Sequence, residues 1–164
     1  MIFITVGTHE QQFNRLLEKI NELKTEKKLK EEVVIQSGYS DYIADSCYFK
    51  NIMSFTEMTN YIKDARIVIT HGGPGSIFSV INQGKIPVVV PRNPLYGEHV
   101  DNHQMEFVKR MVEQKKVIGV FEVEEILHNI ENYENKASKL ILSNQNQLNN
   151  NFVGEFSKII KSLF

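Results

Sequence analysis

Residues 71 to 91 read HGGPGSIFSVINQGKIPVVVP. They continue directly from the apolar run Ile67 to Thr70 and close on a second apolar run, Pro87 to Val90. An apolar run, a glycine-rich turn, a helix over 75 to 83 and another apolar run make one strand–helix–strand unit. Short runs that do not alternate with polar residues belong to strands buried on both faces, as in a parallel sheet. This stretch therefore predicts an α/β fold and sets a glycine-rich turn at the carboxyl end of one strand.

The same alternation extends in both directions. Ile2 to Val6 is a β-branched run that ends at Gly7, and Phe13, Leu16, Leu17, Ile20 and Leu23 then recur at helical spacing. The mixed-charge segment 24 to 32 is a helix end and loop. Val33 to Gln36 forms a second strand, closed by Ser37-Gly38, and Tyr48 to Met53 a short third. Met58, Tyr61, Ile62 and Ala65 mark a helix ahead of the fourth strand. Beyond Pro87 to Val90 the pattern predicts a long helix over Glu98 to Glu113, a last strand over Val117 to Val120, and helices to the C-terminus. The reading is one domain over 1–164, a Rossmann-like parallel sheet with helices on both faces. The last stretch, Phe152 to Phe164, sets Phe152, Phe156, Ile159, Ile160 and Leu163 on one stripe. Such a stripe is either core or, in helices over about 136 to 164, a face that docks a partner.

Composition narrows the function. The chain has 164 residues, with 19 Lys and Arg against 20 Asp and Glu and a formal net charge of −1. That balance gives no footprint for nucleic acid. The one cysteine, Cys47, has no internal disulfide partner, which fits a reducing compartment. No secretory leader is read at the N-terminus, and no apolar run reaches the ~18 residues of a membrane span. The expected location is cytoplasmic.

In open α/β sheets, ligands bind beyond the carboxyl ends of strands where strand order reverses. Two glycine loops lie at such ends: Gly7-Thr8 after the first strand, and His71-Gly72-Gly73-Pro74-Gly75-Ser76 after the fourth. In a 3-2-1-4 order these strands are neighbours, and both loops border one crevice. Glycine lets the backbone approach a ligand closely, and a helix opening at Gly75-Ser76 points free N–H groups at an anion. Ser76 and His71 can each add a donor. A tight turn with Ser76 as a helix cap accounts for the same spacing, and spacing alone leaves both readings open.

The common nucleotide fingerprints do not fit. A P-loop would need glycine where Ser79 stands and Ser or Thr where Ile86 stands. The dinucleotide pattern would need a tiny residue at Phe78. A second polar cluster is GEHVDNHQ, residues 97 to 104. Its carboxylate and amide oxygens suit sugar hydroxyls. His99 and His103 are four apart, but Val100 stands where a zinc-protease motif has Glu, so no metal site is expected. His9 and Glu10 in GTHEQQF are the local candidates for a general base, or for residues that simply start a helix.

Taken in order, IFITVGTHEQQFNRLL, IQSGYSDY, SFTEM, DARIVITHGGPGSIFSVINQGKIPVVVPR and GEHVDNHQMEF resemble a known group. They are similar to the C-terminal, donor-binding half of GT-B glycosyltransferases of family 28. Within it they resemble the Alg13-like subunits of bacterial capsule and exopolysaccharide synthesis, of the PssE type. The matching pieces run from residue 1 to about 110, roughly two thirds of the chain. The resemblance implies an inverting transferase subunit that uses a UDP-sugar, with no metal or other cofactor. The implied hexose is galactose or glucuronate, and the implied acceptor is a lipid-diphosphate-linked sugar. It also implies an Alg14-like membrane-anchored partner that holds the chain at the inner face of the membrane. A second copy of the chain is the alternative occupant of the docking face when that partner is missing. A subunit that binds the donor and only enhances a sister transferase is the other reading. Residue by residue, Gly7, Thr8, His71, Gly72, Gly73, Gly75 and Ser76 match a phosphate-binding set. Phe55 and Ser79 match the uridine contacts, although relatives carry Glu where Ser79 stands. Glu98, His99, Asn102, His103 and Gln104 match the donor-sugar stretch.

Overall fold

A computed structural model describes residues 1–43 and 45–145. Six strands form one sheet: β1 (Ile2–Thr5), β2 (Val33–Gln36), β3 (Tyr48–Lys50), β4 (Ile67–His71), β5 (Val88–Val90) and β6 (Ile118–Gly119). Their order is β3-β2-β1-β4-β5-β6, and every neighbouring pair is parallel. This is the doubly wound order expected from the sequence. The chain leaves β1 towards one edge and returns at β4 to build the other half. β1 therefore lies between β2 and β4, with Ile4 opposite both Ile35 and Ile69.

The run IFIT explains why β1 is central. Ile2 and Ile4 point to one face and Phe3 to the other, and all three are buried. The first face is covered by α1 (Asn14–Thr25), α5 (Ile126–Glu131) and α6 (Tyr133–Gln145), with Leu16, Leu17, Ile20, Ile126, Ile130 and Tyr133 against Ile4 and Ile69. The opposite face is covered by α2 (Phe55–Asp64), α3 (Pro74–Ile81) and α4 (His103–Glu113), through Ile62, Val80, Ile77 and Phe107 against Phe3, Val68 and Val89. Period-two alternation in three successive strands thus sorts the helices into two layers. Each buried aliphatic side chain contributes about 1.5–3 kcal/mol to holding them there. α2 opens on a capping box in which the Ser54 side chain accepts from the Glu57 N–H and the Glu57 carboxylate accepts from the Ser54 N–H.

The structure shortens several expected elements: β3 ends at Lys50 and not at Met53, β6 spans Ile118–Gly119 and not Val117 to Val120, and the helix expected from Glu98 starts later. α4 begins at His103, not at Glu98. Gly97 sits in the left-handed region (φ 68°), and Asp101 Oδ1 accepts from the His103 N–H at 2.9 Å. The acid supplies a local alternative to helical bonding, so residues 98 to 102 form a bridge between β5 and α4. His99 and His103 are therefore not a helical i,i+4 pair. α6 packs Tyr133 and Ala137 into the core, and the Tyr133 hydroxyl donates to the Ile86 carbonyl at 2.8 Å. The apolar stripe expected over Phe152 to Leu163 lies outside the described residues. Among the described residues no helix is long and apolar enough to cross a membrane.

Candidate functional site

β1 and β4 end side by side, and their loops meet. A cleft of about 270 Å³ opens there, lined by Thr5, Gly7, Thr8, Gln36, Met53, Met58, His71, Gly73, Pro74, Gly75 and Ser76. Both glycine loops border it, as the strand order requires. It continues into a space of about 460 Å³ walled by Met53, Phe55, Met58, Ile62, Ser79 and Gln83 among others. Thr5, Met53, Met58, Gly75 and Ser76 line both parts, so the two form one trough along α2 and α3. The inner end carries the two glycine loops, and the outer end an exposed phenyl ring; Met53 and Met58 run along both.

The start of α3 settles how Ser76 is used. The helix is capped by Gly73, which offers no side chain, and Pro74 holds its first position. Ser76 is therefore inside the first turn and caps nothing. The first backbone bond of the helix runs from the Ile77 N–H to the Gly73 carbonyl at 3.2 Å. The Gly75 and Ser76 N–H groups have no acceptor among the described residues, and both residues line the cleft. These are the open donors at the positive end of a helix that an anion needs.

His71 forms the floor between the loops. Its ring is packed so closely on Gly7 and Gly73 that a Cβ on either would meet it, at 2.5 Å and 2.2 Å respectively. Gly7 also holds φ at +77°, so both its conformation and its contact demand glycine. Burial and then the positive charge of Arg92 push the His71 pKa down to about 3. The Thr5 carbonyl opposes this weakly; no group meets Nδ1 at hydrogen-bond geometry among the described residues. His71 is consequently a neutral imidazole at physiological pH, able to offer one N–H and no charge.

Other expected residues gather beside the cleft, not in it. The His9 and His99 rings lie 4.6 Å apart, centroid to centroid. His99 Nδ1 is 3.0 Å from Asp101 Oδ1, and His103 Nδ1 is 3.1 Å from Asp101 Oδ2. Burial, His99 and Arg92 together lower the His9 pKa. His9, Glu10, His99, Asn102, His103 and Gln104 line neither part of the trough. Gly72 also stands behind it, with its N–H donated to Gln104 Oε1 at 3.0 Å. The Arg92 N–H reaches the same oxygen at 3.2 Å, so the Gln104 carbonyl is committed inward and only its NH₂ is left for a ligand. Ser79 Oγ donates back to the Gly75 carbonyl at 2.8 Å.

Glu98 is a correction. Expected among the sugar contacts, it is fully buried. Its carboxylate takes Arg15 Nε and Nη2 at 2.9 and 3.0 Å and the Asn93 N–H at 2.8 Å. It pins the bridge 93 to 102 onto α1 and presents no oxygen to a sugar. Among the described residues no group of three or more His, Cys, Asp or Glu side chains is arranged to hold a metal ion.

Two residues that organise the site went unread in the sequence. Gln36, the last residue of β2, accepts from Thr5 Oγ1 at 2.6 Å and from the Gly7 N–H at 3.2 Å, and its NH₂ donates to the Gly7 carbonyl at 3.1 Å. A polar side chain ending an apolar strand was the available signal. Arg92 lies just after β5, fully buried, and donates to the carbonyls of Val6, Gln11, Gln12 and Glu98 at 2.7–3.1 Å. Only an arginine following VVVP hinted at it.

With this geometry in view, the comparisons with known proteins are direct. The sequence matches the glycosyltransferase family 28 C-terminal domain over residues 1–163. The chain belongs to this family. It is 31% identical over 116 residues to the UDP-N-acetylglucosamine transferase subunit ALG13 of Candida albicans, covering 65% of this chain and 36% of that protein. The chain thus spans about a third of that relative's length. Among solved structures it is similar to the glycosyltransferase SnogD from Streptomyces nogalater, at 13% identity and a TM-score of 0.46, over 87% of this chain and 37% of that one. The family agrees with the resemblance to family 28 read from the motifs, and the sheet order agrees with the predicted Rossmann-like fold. An Alg13-like glycosyltransferase domain is therefore the frame for the trough.

Proposed function

We propose that the chain is the donor-binding subunit of an inverting, UDP-sugar-dependent glycosyltransferase. In this reading it transfers a hexose, with galactose or glucuronate favoured, to a lipid-diphosphate-linked sugar in bacterial capsule or exopolysaccharide synthesis. It works with an Alg14-like membrane-anchored subunit at the inner face of the membrane. Family membership and the Candida relative, named as a transferase subunit, support the class. The observation that carries the reading is the convergence of two glycine loops on one cleft at the open N-terminus of α3.

The mechanism follows from charge development. An acceptor hydroxyl attacks the anomeric carbon, the bond from that carbon to the β-phosphate oxygen breaks, and UDP leaves with the electron pair. Its growing negative charge meets the Gly75 and Ser76 N–H groups, the Ser76 hydroxyl and the neutral His71 N–H. These neutral donors and the helix do the stabilising, so the reading calls for no metal. Single displacement inverts the anomeric centre. The acceptor proton goes to a base; His9 and Glu10 are this chain's candidates, and a partner residue is the other source. Because neither lines the trough, a donor-binding subunit without turnover of its own is the second reading.

The test is calorimetric titration of the purified chain with UDP, against ADP and NAD. Selective UDP binding, weakened about tenfold by Ser76→Ala through loss of one charge-assisted bond, is the expected result. Binding of all three alike, or of none by the chain and by its co-expressed complex, refutes the reading. Turnover by the complex, abolished by His9→Ala or Glu10→Ala, separates the catalytic from the enhancing subunit.

A further inference from the structure

The residues that line the trough share an unusual property for a site read as holding a diphosphate. None of them is Lys, Arg, Asp or Glu. The one ionisable side chain on the wall, His71, is buried and neutral. A nucleoside diphosphate brings at least two negative charges, and taking them out of water without a counter-charge is costly. The helix end and the neutral donors offer only partial positive charge, which leaves a place for a full counter-charge behind the wall.

Behind the wall stands Arg92. Its guanidinium is fully buried and stacks on the Phe13 ring, 5.0 Å from the centroid. Nη2 donates to the Val6 carbonyl at 2.8 Å, one peptide from Gly7 on the cleft surface. Nη1 donates to the carbonyls of Gln11, Gln12 and Glu98. One planar fork thus ties the loop after β1 to the bridge before α4. Nε has no partner among the described residues. The charge itself is not cancelled locally. Glu98 is the acid that acts on Arg92, yet both its carboxylate oxygens bond Arg15. Two guanidinium groups thus share one buried carboxylate, while Glu10 and Asp101 stand on the far side of His9, on which they also act. The field of Arg92 reaches the cleft, since it acts on His71 in the cleft wall.

Resting on the donor-site reading above, we propose that Arg92 is both the positioning residue of the β1 loop and the counter-charge of the site. It balances a bound diphosphate from behind the wall without touching it. A buried, preorganised cation of this kind needs no side-chain ordering on binding and is poorly screened by salt.

Two measurements test this. In the first, UDP and uridine are titrated into the wild-type chain, Arg92→Gln and Arg92→Lys. The expected result is about a tenfold loss of UDP affinity in Arg92→Gln, with uridine affinity within about twofold of wild type and Arg92→Lys in between. Equal losses for UDP and uridine would reduce Arg92 to a fold residue and overturn the proposal; so would unchanged UDP affinity. The second uses the wild-type chain alone and holds even where the variants do not fold. UDP is titrated at pH 8, where it is fully ionised, in two buffers of different ionisation heat. Near-zero proton uptake is expected. Uptake approaching one proton means a histidine charges on binding and supplies the counter-charge, which refutes Arg92 in that role. A chain and complex that bind neither uridine nor UDP instead remove the donor-site reading, and this proposal with it.

Discussion

Burial of a neutral His71 makes stability depend on pH in a defined window. Its pKa is about 3 in the folded chain against an ordinary 6.5. Below pH 6.5 the unfolded chain takes up a proton that the folded chain refuses, so stability falls as pH falls. The loss begins near pH 6.5 and is complete only below pH 3. Each pH unit inside the window costs about 1.4 kcal/mol. Between pH 7 and pH 5 the loss is therefore about 2 kcal/mol, and the whole window amounts to about 5 kcal/mol.

Other groups help to isolate the effect. Glu57 is held near pKa 2 by Lys50 and by the Ser54 backbone, and Glu31 and Asp101 are also lowered. Their stabilising contributions vanish on acidification too, but mainly below pH 4.5. His9 is lowered and adds to the upper window in the same direction. The assay is urea unfolding at half-unit steps from pH 7.5 to 5, on the wild-type chain and on His71→Asn. The wild type should lose about 2 kcal/mol more than the variant across that range. Parallel pH profiles for the two would show that His71 charges freely in the folded state, and the account of the cleft floor would fail.

Four further outcomes follow from the geometry. A Cβ at Gly75 meets nothing within 4 Å, so Gly75→Ala should leave urea stability unchanged or raise it by up to about 1 kcal/mol while weakening UDP binding. Gly73→Ala drives a Cβ into a ring that Gly7 holds from the other side, and should cost about 1–3 kcal/mol as well as binding. Glu98→Ala should cost about 3 kcal/mol in thermal or urea unfolding, because it strands Arg15 and the Asn93 N–H, and donor selectivity should not follow it. Gln104→Leu removes the acceptor of two buried N–H groups and should cost about 2 kcal/mol or more; an unchanged melting temperature would return Gln104 to a purely ligand-facing role.

What the sequence disclosed was whatever depends on pattern along the chain. IFIT, VVIQ, IVIT and VVV are buried runs at the spacing of a parallel sheet, and all four are central strands. The glycines after β1 and β4 fall at strand ends, so the crevice between them followed from topology. The stretch 97 to 104 was less legible. Its polar residues suit a helix start, a metal site or a sugar contact, and only Gly97 in a left-handed turn with Asp101 holding the His103 N–H decides against an early helix. Glu98 was misplaced for a related reason. An acid in a polar run looks solvated until the fold brings Arg15, 83 residues away, against it. Arg92 and Gln36 were missed because their partners are backbone carbonyls and amides of distant loops, which leave no mark on sequence spacing.

That division has a physical consequence for how the site is specified. Beside the Gln36 and His71 side chains, the polar groups lining the inner cleft are backbone or small side chains, those of Thr5, Gly7, Thr8, Gly73, Gly75 and Ser76. Such groups have little conformational freedom of their own and little identity to lose. Their positions are set by Gln36, which brackets Gly7 from the cleft wall, and by a layer that lines neither part of the trough: Gln104 holding Gly72 and the Arg92 N–H, and Arg92 gripping the loop after β1. These bonds are buried, so each is worth more than a surface contact and each leaves an unpaired group when broken. Substitution on the cleft surface then removes one donor, whereas substitution in the layer behind it displaces several donors together. The cleft is thus encoded less by the residues it shows than by the amides and the guanidinium that hold those residues still.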